Sequence, residues 1–192
     1  MRVGMMVYSG FQLLEVSCPM DVFQEANRVC GAAFYEQYVV GPRPGPVTCS
    51  NGTAVGTTAS LRDLQTSFDI VMVPGSPATG SEREHRELVN WLTNAGRSAR
   101  KIASVSNGAF LVARAGLAND RWLTTRECDA QRLASEYPSV HVVTDQICLK
   151  DGNLYSSGGV SAGIYLALAL VGEDLGEQIA GDVAKALLRP GI

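Results

Sequence analysis

One polar turn in the sequence has the composition of a turn that carries a nucleophile. Residues 103–110 read Ala-Ser-Val-Ser-Asn-Gly-Ala-Phe, an apolar strand pattern that passes through Ser-Asn-Gly directly into a helix pattern. Enzymes place a serine or cysteine nucleophile at the apex of a sharp strand-to-helix turn, where its side chain is presented to substrate. The first question is whether Ser106 is a nucleophile or only the residue that fills that position.

The sequence offers few groups that could activate a hydroxyl at Ser106. A serine hydroxyl is almost fully protonated at neutral pH and needs an adjacent base. The chain has two histidines: His85 lies in a charged segment that predicts a helix start, and His141 begins a strand expected near the edge of the sheet. The five cysteines include no Cys-x-x-Cys pair. We therefore expect no metal site, no disulfide framework and no cofactor.

The elements that would position this turn alternate between strands and helices. Strands are predicted at residues 2–8, 68–74 and 101–105, and helices at residues 13–30, with a break near Pro19, and at 163–171. Strands and helices in this order predict an α/β fold whose parallel sheet is covered on both faces. Ligands of such folds bind at the carboxyl ends of the strands.

Three polar or glycine-rich turns follow those predicted strands. They are Ser9-Gly-Phe, Pro74-Gly-Ser-Pro and Ser106-Asn-Gly. Because the carboxyl ends of parallel strands meet at one edge of a sheet, we expect the three turns to converge on one crevice. The two tryptophans, Trp91 and Trp122, have apolar neighbours at core spacing and are predicted to be packing residues.

Composition and charge limit the class of protein. The 192 residues are 46% hydrophobic and 18% charged, which suits one buried domain over residues 1–192 and is short for two. A net charge of −3 gives the chain no electrostatic reason to bind nucleic acid itself. The N-terminus lacks the layout of a signal peptide, and no apolar run reaches the roughly 18–20 residues of a membrane span. These features predict a soluble, cytoplasmic protein with no membrane partner.

Four segments together form a pattern that a known family shares. They read YSGFQLLEVSCPMDVF, DIVMVPGSP, IASVSNGAFLVARAGL and SSGGVSAGIYLALALVGEDLG. In order and spacing they resemble the DJ-1/PfpI superfamily of class I glutamine amidotransferase-like domains, and within it isocyanide hydratases and the N-terminal domains of AraC-type transcription regulators. The resemblance covers essentially the whole chain. It implies a three-layer α/β/α sandwich, flavodoxin-like with a mostly parallel sheet, that forms homodimers.

The resemblance also implies roles for residues of the crevice. In the family a cysteine occupies the position of Ser106, and an acidic residue from the first turn, here Glu15, hydrogen-bonds it. Backbone N–H groups of a Pro-Gly-Gly turn and of the elbow form an oxyanion hole. The matching residues here are Gly75, Ser76 and Asn107.

Three positions depart from the family pattern together. Serine replaces the nucleophilic cysteine at Ser106, Arg126 stands in place of a histidine, and Tyr165 stands in place of an aspartate. An arginine is always charged and cannot act as a base. The three departures indicate a site that is no longer selected for thiol chemistry, unless the serine is an engineered replacement.

Arg126 has several possible partners in the sequence. Beside backbone N–H donors at a helix N-terminus, its guanidinium would form a small anion site. Pairing with Glu15, capture by Glu127 or Asp129, and simple exposure to solvent are the alternatives.

Two functions from different classes follow from these residues. The first is the ligand-sensing and dimerisation domain of an AraC-family transcription regulator, with a degenerate site that binds a small molecule, anions being candidates. DNA would then be bound only through a C-terminal module, and residues 188–192 resemble the junction to such a module. The alternative is a hydrolase or hydratase, isocyanide hydratase-like or amidase-like, that uses Ser106 with Glu15. A redox or glyoxal-handling protein would need the elbow cysteine.

Overall fold

Strands and helices alternate along the chain as the apolar pattern predicts. The computed structural model describes residues 1–62, 67–77, 86–159 and 161–188. The strands of these residues are β1 Arg2–Met6, β2 Glu36–Gly41, β3 Pro46–Thr48, β4 Ala54–Gly56, β5 Ala59–Ser60, β6 Ile70–Val73, β7 Lys101–Val105, β8 Trp122–Thr124, β9 His141–Val143, β10 Cys148–Asp151 and β11 Leu154–Ser157; the helices are α1 Leu14–Cys30, α2 Arg86–Ser98, α3 Ala109–Arg114, α4 Glu127–Glu136, α5 Ala162–Leu175 and α6 Glu177–Leu187.

Seven of these strands form the central sheet, in the order β10-β11-β7-β6-β1-β2-β5. Each neighbouring pair is parallel except β10 and β11, which are antiparallel. The central strands β1, β6 and β7 consist almost entirely of buried residues, which is typical of parallel strands that are covered on both faces. The predicted mostly parallel sheet is confirmed.

The helices form two groups around this sheet. Helices α1, α5 and α6 pack against one another, whereas α2 packs on α3, and α3 contacts β6 and β7. At the centre of the first group, a side chain on Gly163 of α5 would lie 3.2 Å from Val105 of β7 and 3.8 Å from Pro19 of α1. With helices on both faces, the predicted three-layer α/β/α sandwich is confirmed.

The predicted break of the first helix near Pro19 is wrong. Helix α1 runs without interruption from Leu14 to Cys30, and Pro19 is buried inside it. A proline in a helix removes one backbone hydrogen bond, here the one to the carbonyl of Glu15. The packing of Pro19 against the first turn of α5 provides a tertiary contact at the same place, and this contact is not visible in the local sequence.

One of the two predicted packing tryptophans is at the surface. Trp91 packs in the core against Phe68, with ring centroids 6.0 Å apart. Trp122 is 53% exposed and contacts the ring of His141 at 4.9 Å. Trp122 and His141 belong to a separate two-stranded sheet of β8 and β9. Strand β8 contacts β10 and β11 at one edge of the central sheet, so His141 starts a strand near that edge without being part of the central sheet. His85 lies outside the described residues.

Candidate functional site

The first two polar turns meet at the carboxyl end of the sheet. The Tyr8 hydroxyl donates to the carbonyl of Pro74 at 2.8 Å, and the Ser76 hydroxyl donates to the carbonyl of Gly10 at 2.7 Å. The backbone N–H of Gln12 donates to the carbonyl of Gly75 at 2.9 Å. These bonds join the turn after β1 to the turn after β6, as the predicted crevice requires.

The third turn is a strained elbow. Val105 ends β7 with extended backbone, and Ser106 then adopts a φ of 57° at the start of a single 3-10 turn, Ser106–Gly108, which leads into α3. A left-handed conformation of this kind costs a residue other than glycine about 1–2 kcal/mol. The surrounding structure must therefore hold Ser106 in place, as it does in enzymes with a nucleophile elbow.

Two neighbours hold the elbow in this shape. A side chain on Gly108 would place its Cβ 2.2 Å from the carbonyl oxygen of Val73, so the elbow packs directly on the backbone at the end of β6. From the other side, the Thr125 hydroxyl donates to the carbonyl of Ser106 at 2.9 Å. The sequence reasoning missed Thr125. Its position beside Arg126, in the stretch that resembles the family's histidine segment, is the one signal that could have found it.

Ser106 and Glu15 lie together in the interior of the site. Ser106 is 1% exposed and Glu15 is 3% exposed. Among the described residues the Ser106 hydroxyl has no hydrogen-bond partner of standard geometry. It is nevertheless close enough to Glu15 to influence the pKa of that carboxyl. A buried hydroxyl without a partner is costly, and such groups are typical of binding and catalytic sites.

The carboxyl group of Glu15 is perturbed by its surroundings. Burial raises the pKa of Glu15 from its usual value to about 7. The rise is limited by the N–H of Gly75, which donates to the carboxylate at 2.5 Å, by the nearby Ser106 hydroxyl and by the positive charge of Arg126. Glu15 therefore changes its charge near neutral pH.

Two of the three N–H groups expected to form an oxyanion hole, those of Gly75 and Ser76, are bonded within the chain. The N–H of Gly75 donates to Glu15, and the N–H of Ser76 donates to the Asn107 side-chain oxygen at 2.8 Å. The side-chain nitrogen of Asn107 donates back to the Ser76 carbonyl at 2.7 Å. Asn107 thus contributes its side chain to the site, which the sequence reasoning did not foresee. The ligand-binding role of these three residues stays a prediction.

Arg126 forms an ion pair with Asp129, one of the alternative partners in the sequence. It is the residue before α4, and its guanidinium contacts the Asp129 carboxylate through Nε at 2.7 Å and through a terminal nitrogen at 2.6 Å. Asp129 lies in the first turn of the same helix and is buried, while the Arg126 side chain is 31% exposed. Of the alternatives, the structure therefore shows the pair with Asp129. The charge of Arg126 affects the pKa of Glu15 only from a distance.

Tyr165 lies outside the buried part of the site. Its helix begins beside the elbow, because Gly163 packs against Val105. The Tyr165 side chain itself is 53% exposed. Its place among the ligand-binding residues stays a prediction.

Neither a metal site nor a membrane-spanning helix is found in the described part of the chain. No group of three His, Cys, Asp or Glu residues there is placed to hold a metal ion. In the same residues, no helix has the length and apolar character that crossing a bilayer requires.

A strained elbow at the carboxyl edge of a parallel sheet, between two helical layers, defines the class of α/β sandwich proteins built around a nucleophile position. A family model described as DJ-1/PfpI family matches residues 1–173. The chain belongs to the DJ-1/PfpI family, which confirms the resemblance seen in the sequence.

Curated relatives include both an enzyme and transcription regulators. Isonitrile hydratase of Pseudomonas putida is 28% identical over 182 residues, which are 94% of this chain and 75% of the relative. The HTH-type transcriptional regulator CdhR of Pseudomonas aeruginosa is 27% identical, over 92% of this chain and 51% of the regulator. The regulator GlxA of Rhizobium meliloti is 26% identical, over 100% of this chain and 58% of the regulator. The chain thus spans little more than half the length of these two regulators.

Solved structures share the fold. A ThiJ/PfpI family protein from Pseudomonas syringae superposes with a TM-score of 0.87 at 22% identity, over 100% of this chain and 76% of that one. An AraC family transcriptional regulator from Pseudomonas putida superposes with a TM-score of 0.82 at 22% identity, over 97% of this chain and 98% of that one. At these identities the likeness establishes the fold.

Proposed function

We propose that this chain is the ligand-sensing domain of an AraC-type transcription regulator, in which the former thiol site binds a small molecule without turning it over. The observation that carries the proposal is the combination of a retained elbow with a missing base: Ser106 keeps the strained conformation, while Arg126 occupies the base position and is bonded to Asp129. A guanidinium in an ion pair cannot accept the proton of a serine. The regulator relatives support the same interpretation.

The partners and the location of the protein belong to this proposal. DNA would be bound by a separate module of the regulator, and a second copy of the chain would provide the dimer that such regulators use to read paired half-sites. A regulator of this kind acts in the cytoplasm. The net charge of −3 fits a domain that leaves DNA binding to another module.

The crevice would bind its ligand through a small set of polar groups. The Ser106 hydroxyl is buried and can donate or accept, and Glu15 can do either because its pKa is about 7. Asp129 contacts two of the three guanidinium nitrogens of Arg126, so Arg126 still has N–H groups to offer an anionic ligand.

The test separates binding from turnover. A thermal-shift screen of the wild-type protein with small carboxylates, amides and amines should find a compound that raises Tm, because a ligand of the native state stabilises it. The same compound should be recovered unchanged after prolonged incubation. Arg126→Ala should abolish the shift for an anionic ligand, with Arg132→Ala as an arginine control outside the site. A compound panel that yields product in the wild type and none in Ser106→Ala would overturn the proposal.

A hydrolase or hydratase is the second candidate, and one observation favours it. A carboxyl group with a pKa of about 7 beside a buried serine is a suitable general base. In that case Glu15 would take the Ser106 proton as the oxygen attacks the substrate carbon, and the rate would rise as the pH passes 7. Glu15→Gln would then abolish turnover. The bonded N–H groups of Gly75 and Ser76 count against this candidate, since neither is free to stabilise an oxyanion.

A further inference from the structure

The peptide group of Ser76 and the side chain of Asn107 form a reciprocal pair. The Ser76 N–H donates to Asn107 Oδ1 at 2.8 Å, and Asn107 Nδ2 donates to the Ser76 carbonyl at 2.7 Å. The two residues are 31 positions apart, so the pair is a tertiary contact and no local turn imposes it. Both polar groups of one residue's backbone are therefore matched by both polar groups of one carboxamide.

The backbone before Ser76 is shaped around this carboxamide. A Cβ on Gly75 would lie 1.9 Å from Asn107 Oδ1 and 3.1 Å from Asn107 Cγ. The missing side chain of Gly75 therefore creates the space in which the amide lies. The N–H of Gly75 takes no part in the pair, because it donates to Glu15 at 2.5 Å. Gly75 and the backbone of Ser76 together make a cradle of carboxamide size.

The chemistry of the cradle selects a group that offers one hydrogen-bond acceptor and one donor side by side. A carboxylate could accept from the Ser76 N–H, but its second oxygen would face the Ser76 carbonyl, and two acceptors repel. An ammonium group could donate to the carbonyl but could not accept from the N–H. A primary carboxamide satisfies both partners at once. A buried polar group that loses its partner costs about 1–3 kcal/mol, so the mismatch is a real discrimination.

We propose that the Ser76 backbone and Gly75 form a carboxamide-binding subsite, that Asn107 is its internal occupant, and that a ligand bearing a primary carboxamide binds in the crevice by displacing the Asn107 side chain. The ligand part rests on the proposed sensing function, whereas the subsite itself does not. Asn107 then raises the ligand concentration that is needed for binding, because its tethered amide competes with the carboxamide of the ligand. Removal of the tethered amide frees the subsite.

Chemical rescue tests the subsite directly. Asn107→Ala removes the side-chain carboxamide, and formamide replaces the lost atoms almost one for one. The variant should melt below the wild type, and formamide should raise its Tm relative to the wild type by about 2–4 °C. Sodium formate and N,N-dimethylformamide at the same concentrations should give no variant-specific rise. An equal effect of formamide on both proteins, or an equal rescue by formate, would overturn the subsite.

A second variant keeps the subsite open to test if Asn107→Ala does not fold. Asn107→Asp has the same size, but its ionised side chain loses the donor to the Ser76 carbonyl. A protonated carboxyl regains both an acceptor and a donor, so the Tm gap to the wild type should narrow as the pH falls. Among the described residues, the charged groups around the site are Glu15, Arg126 and Asp129. The wild type shares every charged group except the one at position 107, so the difference between the two proteins reports on residue 107. A gap that stays constant or widens on acidification would contradict the reciprocal pair.

The two proposals can fail separately. If formamide rescue fails while the wild type binds some other compound in the thermal screen, the carboxamide subsite is wrong and the sensing function stands. If rescue succeeds while the wild type shows turnover that depends on Ser106, the sensing function is wrong and the subsite stands.

Discussion

The two ends of the central sheet differ in how their buried ionisable groups are paired. At the amino ends of the strands, Lys101 is paired with Asp174 at 2.7 Å, and the Tyr35 hydroxyl donates to the same carboxylate at 3.0 Å. Beside them Glu173 accepts from Lys150 at 2.8 Å and from the Tyr155 hydroxyl at 2.7 Å. This end holds several charges, and each has partners of opposite charge or hydrogen-bonding groups.

At the carboxyl ends of the same strands, Ser106 and Glu15 are buried in an unfavourable state. There Ser106 has a left-handed backbone, and its buried hydroxyl lies near Glu15 without a hydrogen bond of standard geometry to any described residue. Glu15 is buried nearby with a raised pKa. A network with every member satisfied stabilises a fold, whereas strain and unsatisfied groups are kept where they serve binding or chemistry. The comparison supports the candidate site at the carboxyl end, and four substitutions test it.

The largest effect is expected where the elbow touches β6. Gly108→Ala would force a Cβ to within 2.2 Å of the Val73 carbonyl oxygen. Backbone cannot move aside as a side chain can, so we expect a loss of at least about 4 kcal/mol in the free energy of unfolding, or no folded protein. Gly56→Ala is the control, because its Cβ would meet no atom of the described residues within 4 Å. Urea unfolding of both variants measures the difference, and a mild effect at Gly108 would mean that the elbow is not tightly held.

Removing a charge at the amino ends of the strands should lower the free energy of unfolding somewhat less. Lys101→Met leaves Asp174 buried with its tyrosine partner and no cation at 2.7 Å, and breaking a buried pair from one side costs about 3 kcal/mol. The double variant Lys101→Met, Asp174→Leu should recover most of that loss, since no unpaired charge remains. If thermal unfolding shows the double variant to be as unstable as the single one, the network contributes by more than charge balance.

Glu15 should make stability depend on pH at the functional end. Its pKa is about 7 in the folded chain and close to 4.3 in an unfolded one, so the folded state binds more protons between these values. The contribution of Glu15 to the free energy of unfolding is therefore fully present below about pH 4. It falls as the pH rises to about 7 and levels off above that. Glu15→Gln should remove this decline, which amounts to about 3–4 kcal/mol. Identical pH profiles of unfolding for the wild type and Glu15→Gln would show that Glu15 is not perturbed.

The smallest effect is a gain. Ser106→Gly relieves a left-handed backbone at φ 57°, so we expect about 1 kcal/mol of added stability, reduced by whatever the hydroxyl contributes beside Glu15. Asp120 has the same φ of 57° but is exposed, so Asp120→Gly is a matched control with a smaller gain, because aspartate tolerates this conformation. A destabilised Ser106→Gly would indicate that the interaction of the hydroxyl with Glu15 outweighs the backbone strain.

The apolar pattern was sufficient for the fold. Continuous apolar runs such as residues 101–105 are typical of parallel strands with two covered faces, and that inference placed three turns at one edge of the sheet. Local pattern failed at Pro19, which is buried beside α5 inside an uninterrupted helix, and at Trp122, which belongs to a small separate sheet. In both cases the deciding neighbour is remote in the sequence.

For the candidate site too, the sequence predicted some features and only the structure showed the others. The sequence alone predicted the elbow at Ser106, and the left-handed backbone there confirms the turn. It also showed that no histidine stands at the position of Arg126, because residue type limits which groups can titrate. It could not select Asp129 as the partner of Arg126 among three carboxylates, or foresee that the side chain of Asn107 binds the backbone of Ser76. Those outcomes depend on distances of a few ångströms between groups that the packed elements bring together. Residue types determine what chemistry is available, and only the packed structure decides which partners meet.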